Sequence, residues 1–233
     1  MKKQPNNIYV LWSGGLDSTF LIQHLLTIYP NANVFSGYVE IMNNPSKTRM
    51  EKQAIERLIP LLNSKYNNRL KHIGTTLKCE ISKVSEWIPL KQLPIWITSI
   101  ISTTPYDIDE IALGYVLNDC AISYIHDIKH VISSWRKGFS PKFPNITFPL
   151  VKFNKEQIMN EIHFELINEV VWCEMPTENN GLFIPCNSCV PCKRSPLSIS
   201  KLNDISYQLN AIPVQLNFID ILMPDFGAIK CVG

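Results

Sequence analysis

Glycine is scarce in this chain, nine among 233 residues. Long apolar runs are lacking too. No stretch approaches the ~20 residues that a helix needs to cross a bilayer. Nor does one sign of charge dominate: 22 Lys and Arg stand against 20 Asp and Glu, for a net charge of +2. That balance gives no electrostatic ground for wrapping a long nucleic acid and leaves room only for a local basic groove. There is no internal repeat and no low-complexity tract. Lys2 and Lys3 ahead of an apolar run mimic a secretion signal, but the run breaks at Ser13-Gly14-Gly15 and Asp17. A cytoplasmic address is therefore expected. The apolar share of 45% and charged share of 18% are those of a soluble globular protein. The length suits one domain, or a domain with a small appendage.

In a chain so poor in glycine, a side-by-side pair stands out, in LWSGGLDSTF at residues 11–20. Ile8 to Trp12 read as a short buried strand. After Asp17 the apolar residues Phe20, Leu21, Leu25 and Ile28 recur at helical spacing. Ser13-Gly14-Gly15 is thus a strand-to-helix turn. Glycines there leave backbone N–H groups bare beside the positive end of a helix, which suits phosphate. For a lone Gly-Gly the plain alternative is a tight βα turn with no ligand; the full Ser-Gly-Gly-x-Asp-Ser string favours the anion site.

The remaining pattern alternates strands with helices. Asn33 to Val39 reads as a second strand, residues 45–66 as a polar helix with Ile55, Leu58, Ile59 and Leu62 inward, and Leu70 to Ile73 as a third strand. Residues 92–104 are a buried segment of undecided type. EIALGY, residues 110–115, reads as a core strand, 120–136 as a helix, and Ile146 to Val151 as a further strand. Asn154 followed by Gln157 three residues on is an N-cap pattern close to a capping box. Such alternation predicts an α/β fold, an open parallel sheet with helices on both faces, whose ligands sit at the carboxyl ends of the strands. The expected division is an α/β domain over 1–165 and a cysteine-bearing subdomain with a C-terminal segment over 166–233.

That second part holds Cys173 and then Cys186, Cys189 and Cys192 at two-residue intervals. A single Cys-x-x-Cys could be a redox pair. Three cysteines in a ladder with a fourth upstream suit a tetrahedral Zn²⁺, and four thiolates leave no open position, so the site is expected to be structural. Cys79 and Cys120 lack such spacing and read as ordinary buried thiols; Cys231 is left open.

Both signals together resemble one family. Ser13-Gly14-Gly15-x-Asp17-Ser18 is similar to the PP-loop of the ATP pyrophosphatases, and the cysteine cluster resembles that of the 7-cyano-7-deazaguanine synthases (QueC-like). Gly114 and Asp119 after the fourth strand, Pro149-Leu150 before Lys155, Trp172 before Cys173, and Lys193-Arg194 after Cys192 extend the likeness over residues 8–195. The resemblance implies a nucleotide α-hydrolase (HUP-type) fold and cofactors ATP, Mg²⁺ and Zn²⁺. Since the turn carries no lysine, it is expected to hold the β and γ phosphates as a leaving group, giving AMP and pyrophosphate. Ser13, Gly14, Gly15 and Ser18 would cradle pyrophosphate, and Asp17 would orient it or its Mg²⁺. Lys155 is a candidate for stabilising charge on phosphate, with an exposed first-turn lysine as the plain alternative. The implied substrate is 7-carboxy-7-deazaguanine, activated as an acyl-adenylate and opened by ammonia to an amide and then a nitrile.

The chain departs from the family where the substrate lies. Only Tyr38 and Arg49 stand as loose counterparts of a motif after the second strand, and CAISYIHD replaces Tyr-Pro-Asp-Cys. Divergent relatives of this family attach a 7-deazaguanine to a protein amine in antiviral defence, so a protein acceptor stands beside ammonia. A tRNA thiolase and a non-catalytic nucleotide-binding scaffold are the other readings. His126 and His130, one helical turn apart, are a minor metal candidate beside a solvated role. Trp87, Trp96 and Trp135 read as core or interface bulk. After Pro196 the chain is too rich in Ile and Leu for a disordered tail; it is expected to dock on its own domain, a second copy or a partner protein.

Overall fold

The computed structural model describes residues 4–194 except Asn43, Ser85, residues 88–90, Asn118 and Asn180. Strand β1, Asn7–Leu11, is covered on both faces: Ile8, Tyr9 and Val10 are fully buried. A run of apolar residues without alternation is what such a central parallel strand requires. It pairs in parallel with β2 (Asn33–Ile41), Leu11 opposite Gly37, and with β4 (Glu110–Ala112), Ile8 opposite Glu110. Strands β3 (Leu70–Cys79) and β5 (Asn145–Thr147) complete a five-stranded parallel sheet of order β3-β2-β1-β4-β5.

Crossover helices cover both faces. The even-numbered side chains of β1, with Trp12, pack against α1 (Leu16–Ile28), α2 (Pro45–Lys65), α5 (Lys155–Glu161) and α6 (Phe164–Ile167) through Phe20, Leu21, Leu58, Ile158 and Leu166. Tyr9 and Ile111 face the other way, against Ile100 of α3 (Gln92–Thr103) and Ile128 of α4 (Ile125–Gly138). The expected open parallel sheet with helices on both faces is what forms. From β1 the chain winds outward to β2 and β3, then crosses back to β4 and β5. The carboxyl ends of β1 and β4 therefore flank the point where strand order reverses, where doubly wound sheets hold ligands.

Several elements differ from their expected bounds. Residues 92–103 are helical, with Ile95, Ser99 and Ile100 buried, and Ile100, Leu93 and Ile97 join the cluster that packs on the sheet. Strand β3 runs six residues past Ile73, whereas β4 and β5 keep only three residues each. Cys120–Tyr124 is a 3₁₀ turn ahead of α4. Ile28 and Trp87 are exposed, and Trp96 and Trp135 are half-buried; Trp12 is the tryptophan of the core. Cys79 and Cys120 are half-buried, not buried.

Past Val170, which still belongs to the main core, the chain enters a small module with its own cluster. It holds an antiparallel hairpin, β6 (Thr177–Asn179) with β7 (Leu182–Ile184), and a short helix α7 (Val190–Arg194). The expected docking segment after Pro196, with Cys231, lies outside the described residues. Among the described residues no helix is long and apolar enough to cross a membrane.

Candidate functional site

Between β1 and α1 the chain turns through Ser13, Gly14 and Gly15. The Gly15 N–H donates to Ser13 Oγ at 3.3 Å, and Ser18 Oγ donates to the Gly15 carbonyl at 3.2 Å. The two serine hydroxyls lie 3.2 Å apart, so the turn is tied to the first turn of α1. Behind it, the Trp12 indole N–H donates to Thr19 Oγ1 at 3.0 Å. Gly14 has φ +70°, and a Cβ there would lie 3.1 Å from the Glu51 carbonyl and 3.2 Å from Ala54 Cβ. The turn is thus left-handed and pressed against α2, which is why glycine stands there. Gly15, the N-cap, brings no side chain to the first amides of α1. Helix geometry leaves those amides without intrahelical partners, and they face the strand ends as anion donors.

Three charged side chains converge beside this turn. Asp17, in the first turn of α1, accepts an ion pair through Oδ2 from Lys155 Nζ. Lys155 opens α5, fixed by a capping box in which the Gln157 N–H donates to Asn154 Oδ1 at 2.8 Å and Gln157 returns the bond. The second oxygen of Asp17, Oδ1, is buried without a hydrogen-bond partner among the described residues. Asp119 accepts the Val116 N–H at 3.1 Å. Burial raises its carboxyl above the ordinary range, the Val116 bond opposes this, and the nearby Asp17 charge adds to the rise. The exit of β4 runs beside α1 at Gly114, where a Cβ would make ordinary contact with the Asp17 carbonyl at 3.7 Å. Ser13, Gly14, Gly15, Asp17, Ser18 and Lys155 are therefore brought together, with Asp119 joining them.

Tyr38 in β2 and Arg49 in α2 are otherwise engaged. Tyr38 is buried, and its hydroxyl donates to Glu51 Oε2 at 2.7 Å. Burial raises the Glu51 carboxyl, against the lowering effect of Lys47. Arg49 donates through Nε to Glu178 at 2.9 Å, and Lys47 pairs with Glu174. His126 and His130 both lie exposed on α4 and join no cluster of three ligand groups among the described residues. A shallow cleft lined by Leu61, Tyr66, His163 and Leu166 lies at the other end of α2, away from the turn.

The four cysteines do meet. Their sulfurs all lie within 4.8 Å of one another, with Cys173 and Cys192 buried and Cys186 and Cys189 half-buried. The Cys186 N–H donates to Cys173 Sγ at 3.2 Å, and the Cys189 N–H to Cys186 Sγ at 3.3 Å. Sulfurs about 2.3 Å from a tetrahedral zinc lie roughly 3.8 Å apart, a spacing within the observed spread. The Ser188 hydroxyl, with backbone amides, draws the Cys186 thiol down to about 5, while burial pushes Cys173 and Cys192 up. An all-thiolate set of this size fits a soft tetrahedral metal.

Sequence reasoning missed Val171 and the Met50–Ile55 turn of α2. The Val171 N–H donates to the Gly14 carbonyl at 3.1 Å, and Val171 bridges in parallel to Gly15. Both parts are played by backbone or by an ordinary apolar face, which leaves no mark in residue type.

No family model matches the chain, and no curated protein does. Solved structures do. The U34-tRNA thiolase NcsA from Methanococcus maripaludis, with its [4Fe-4S] cluster, is 19% identical, at TM-score 0.44 over 89% of this chain and 67% of that one. A predicted subunit of tRNA methyltransferase from Methanocaldococcus jannaschii is 16% identical, at TM-score 0.43 over 66% and 72%. NMN synthetase from Francisella tularensis is 13% identical, at TM-score 0.33 over 92% and 90%. Likeness this low leaves the chemistry to the chain's own residues.

Proposed function

We propose that this chain is an ATP pyrophosphatase of the PP-loop kind, an acyl-adenylating ligase similar to the 7-cyano-7-deazaguanine synthases. The observation that carries the reading is the meeting of Asp17, Lys155 and Asp119 beside a glycine turn that contains no lysine. Such a turn is built to hold a pyrophosphate leaving group on backbone amides. A substrate carboxylate oxygen attacks the α-phosphorus of ATP, the bond to the β-phosphate oxygen breaks, and pyrophosphate leaves onto the amides of Leu16 to Ser18. Lys155 offsets charge on the α-phosphate, and Asp17 orients the leaving group with its Mg²⁺. Bound together with ATP, Mg²⁺ supplies charge neutralisation. An amine nitrogen then attacks the acyl carbon, loses a proton and expels AMP, leaving an amide. Where the amine is ammonia, the amide oxygen attacks a second ATP and expels pyrophosphate, and loss of the two N–H protons with AMP then gives a nitrile. Zinc on Cys173, Cys186, Cys189 and Cys192 would be structural, since no position stays open.

The acid in this reading is 7-carboxy-7-deazaguanine. The commitment of Tyr38 to Glu51 and of Arg49 to Glu178 favours a second version in which the amine belongs to a protein. Both side chains replace a substrate motif of the synthases, and here both serve internal contacts. The test is to incubate the protein with ATP, Mg²⁺ and this acid, with ammonia or with candidate protein acceptors. AMP and a small nitrile support the synthase, whereas AMP and a mass gain on a protein support the conjugase. Release of ADP removes the PP-loop reading, and nucleotide binding with no turnover of any carboxylate leaves a scaffold.

A further inference from the structure

The cysteine module touches the phosphate turn by two separate routes. One is Val171, an isolated bridge residue two positions before Cys173. Its N–H donates to the Gly14 carbonyl at 3.1 Å, and its backbone pairs in parallel with Gly15. The other is helix α2. Met50 is buried in one apolar cluster with Cys173 and Cys192. Within the next turn and a half, Glu51, Ala54 and Ile55 form the wall against which Gly14 is pressed, the nearest atoms 3.1 to 3.3 Å from where a Cβ would be. The first turns of α2 are also pinned to the module by polar contacts. Asn44 Nδ2 donates to the Glu174 carbonyl at 3.1 Å, Lys47 pairs with Glu174, and Arg49 with Glu178.

From this geometry we infer that a metal held by the four thiolates sets the shape of the phosphate turn, with Val171 and Met50 as positioning residues. Cys173 and Cys192 are the two ligands packed on Met50, and Cys173 fixes the end of the segment that begins at Val171. The sulfurs meet through packing and through amide bonds such as Cys186 N–H to Cys173 Sγ at 3.2 Å. A bound metal adds four bonds of one length that tie all four together. The gain in order passes to Val171, two residues from Cys173, and to the α2 turn after Met50, which both touch Gly14. An anion site made of backbone amides depends on their orientation, and small rotations of the turn move several donors at once. The metal would therefore control pyrophosphate affinity from outside the reacting atoms.

The inference rests on the reading of Ser13–Ser18 as a pyrophosphate site, so two readouts are used. Metal-loaded and metal-stripped protein, both with reduced thiols, are compared for inorganic pyrophosphate binding by calorimetry and for amide exchange of the peptide covering residues 12–18. Stripping is expected to weaken binding at least tenfold and to speed exchange at 12–18 while β1 and β4 stay protected. Val171→Pro, checked for fold and full metal content, removes the N–H to Gly14 and is expected to reproduce both effects. Val171→Ala keeps the N–H and trims only the side chain, and is expected to lose far less binding and protection than Val171→Pro. Met50→Ala keeps all four ligands and is expected to cost a smaller, several-fold loss. A folded, metal-loaded Val171→Pro protein with native binding and exchange overturns the inference, as does a reduced native chain that takes up no metal. If the loaded native protein binds no pyrophosphate while stripping still loosens residues 12–18, the coupling stands and the phosphate reading falls.

Discussion

Replacing Gly14 with alanine separates the two demands that the turn makes on its backbone. The residue sits at φ +70°, where an L side chain costs about 1–2 kcal/mol. Its new Cβ would also meet the Glu51 carbonyl at 3.1 Å, Ala54 Cβ at 3.2 Å and Ile55 Cγ1 at 3.3 Å. These are atoms of a buried helix face and a helical carbonyl, with little freedom to yield. Crowding of this kind costs roughly 1–3 kcal/mol in a packed core. Gly181, in the turn between β6 and β7, supplies the control. Its φ is +79°, with nothing within 4 Å of a Cβ, so Gly181→Ala bears the conformational cost alone. Gly14→Ala is expected to lose about 3 kcal/mol and Gly181→Ala about 1 kcal/mol. For a chain of this size each kcal/mol shifts the melting temperature by about 2–4 °C. Calorimetric or urea unfolding of both variants reads the difference. Pyrophosphate binding, measured well below both melting temperatures, is expected to fall at least tenfold in Gly14→Ala and to stay native in Gly181→Ala. If the two variants lose the same stability, within about 0.5 kcal/mol, the close approach of the turn to α2 is wrong.

Other expectations follow from the same contacts. Purified protein with reduced thiols should carry one zinc per chain by elemental analysis, and Cys189→Ser should lose metal and stability before it alters any reaction. Asp17→Asn should abolish AMP release while leaving the circular dichroism spectrum and melting cooperativity native, since the position lies at a helix start where Asn is tolerated. Glu51 has its pKa raised in the fold, mainly by burial, so the folded state holds its proton to higher pH than the unfolded chain does. Its contribution is therefore most favourable below the unfolded carboxylate pKa and declines as pH rises through the folded one. Urea midpoints from pH 4 upward should show this decline, and Glu51→Gln should flatten it. Tyr38→Phe should cost about 1–3 kcal/mol by leaving the Glu51 carboxylate without its donor, and a loss below about 0.5 kcal/mol would show that the bond carries no weight.

Much of this protein is legible from residue type alone, because some physical demands admit few residues. Two adjacent glycines at the end of an apolar run state a turn that no side chain tolerates, and φ +70° at Gly14 is that demand met. The ladder of Cys186, Cys189 and Cys192 with Cys173 upstream states a four-thiolate site, and the sulfurs converge within 4.8 Å. Asn154 with Gln157 states a helix start, and the capping box forms. Unbroken apolar stretches between amphipathic ones state a parallel sheet covered on both faces.

Tertiary structure decided what depends on neighbours. Residues 92–103 carry Ile and Thr that fit a strand as readily as a helix, and only the face they bury against the sheet makes them α3. Lys155 is an unremarkable first-turn lysine in the sequence, and the crossover that lays α5 beside α1 brings it onto Asp17, 138 residues away along the chain. Tyr38 and Arg49 look free to meet a ligand until Glu51 and Glu178 arrive from other elements. Val171 is the clearest case, since any residue but proline can donate its backbone N–H to Gly14. Residue type encodes what a side chain must do, and a contact made by backbone, or chosen by a fold's crossovers, leaves that code unchanged.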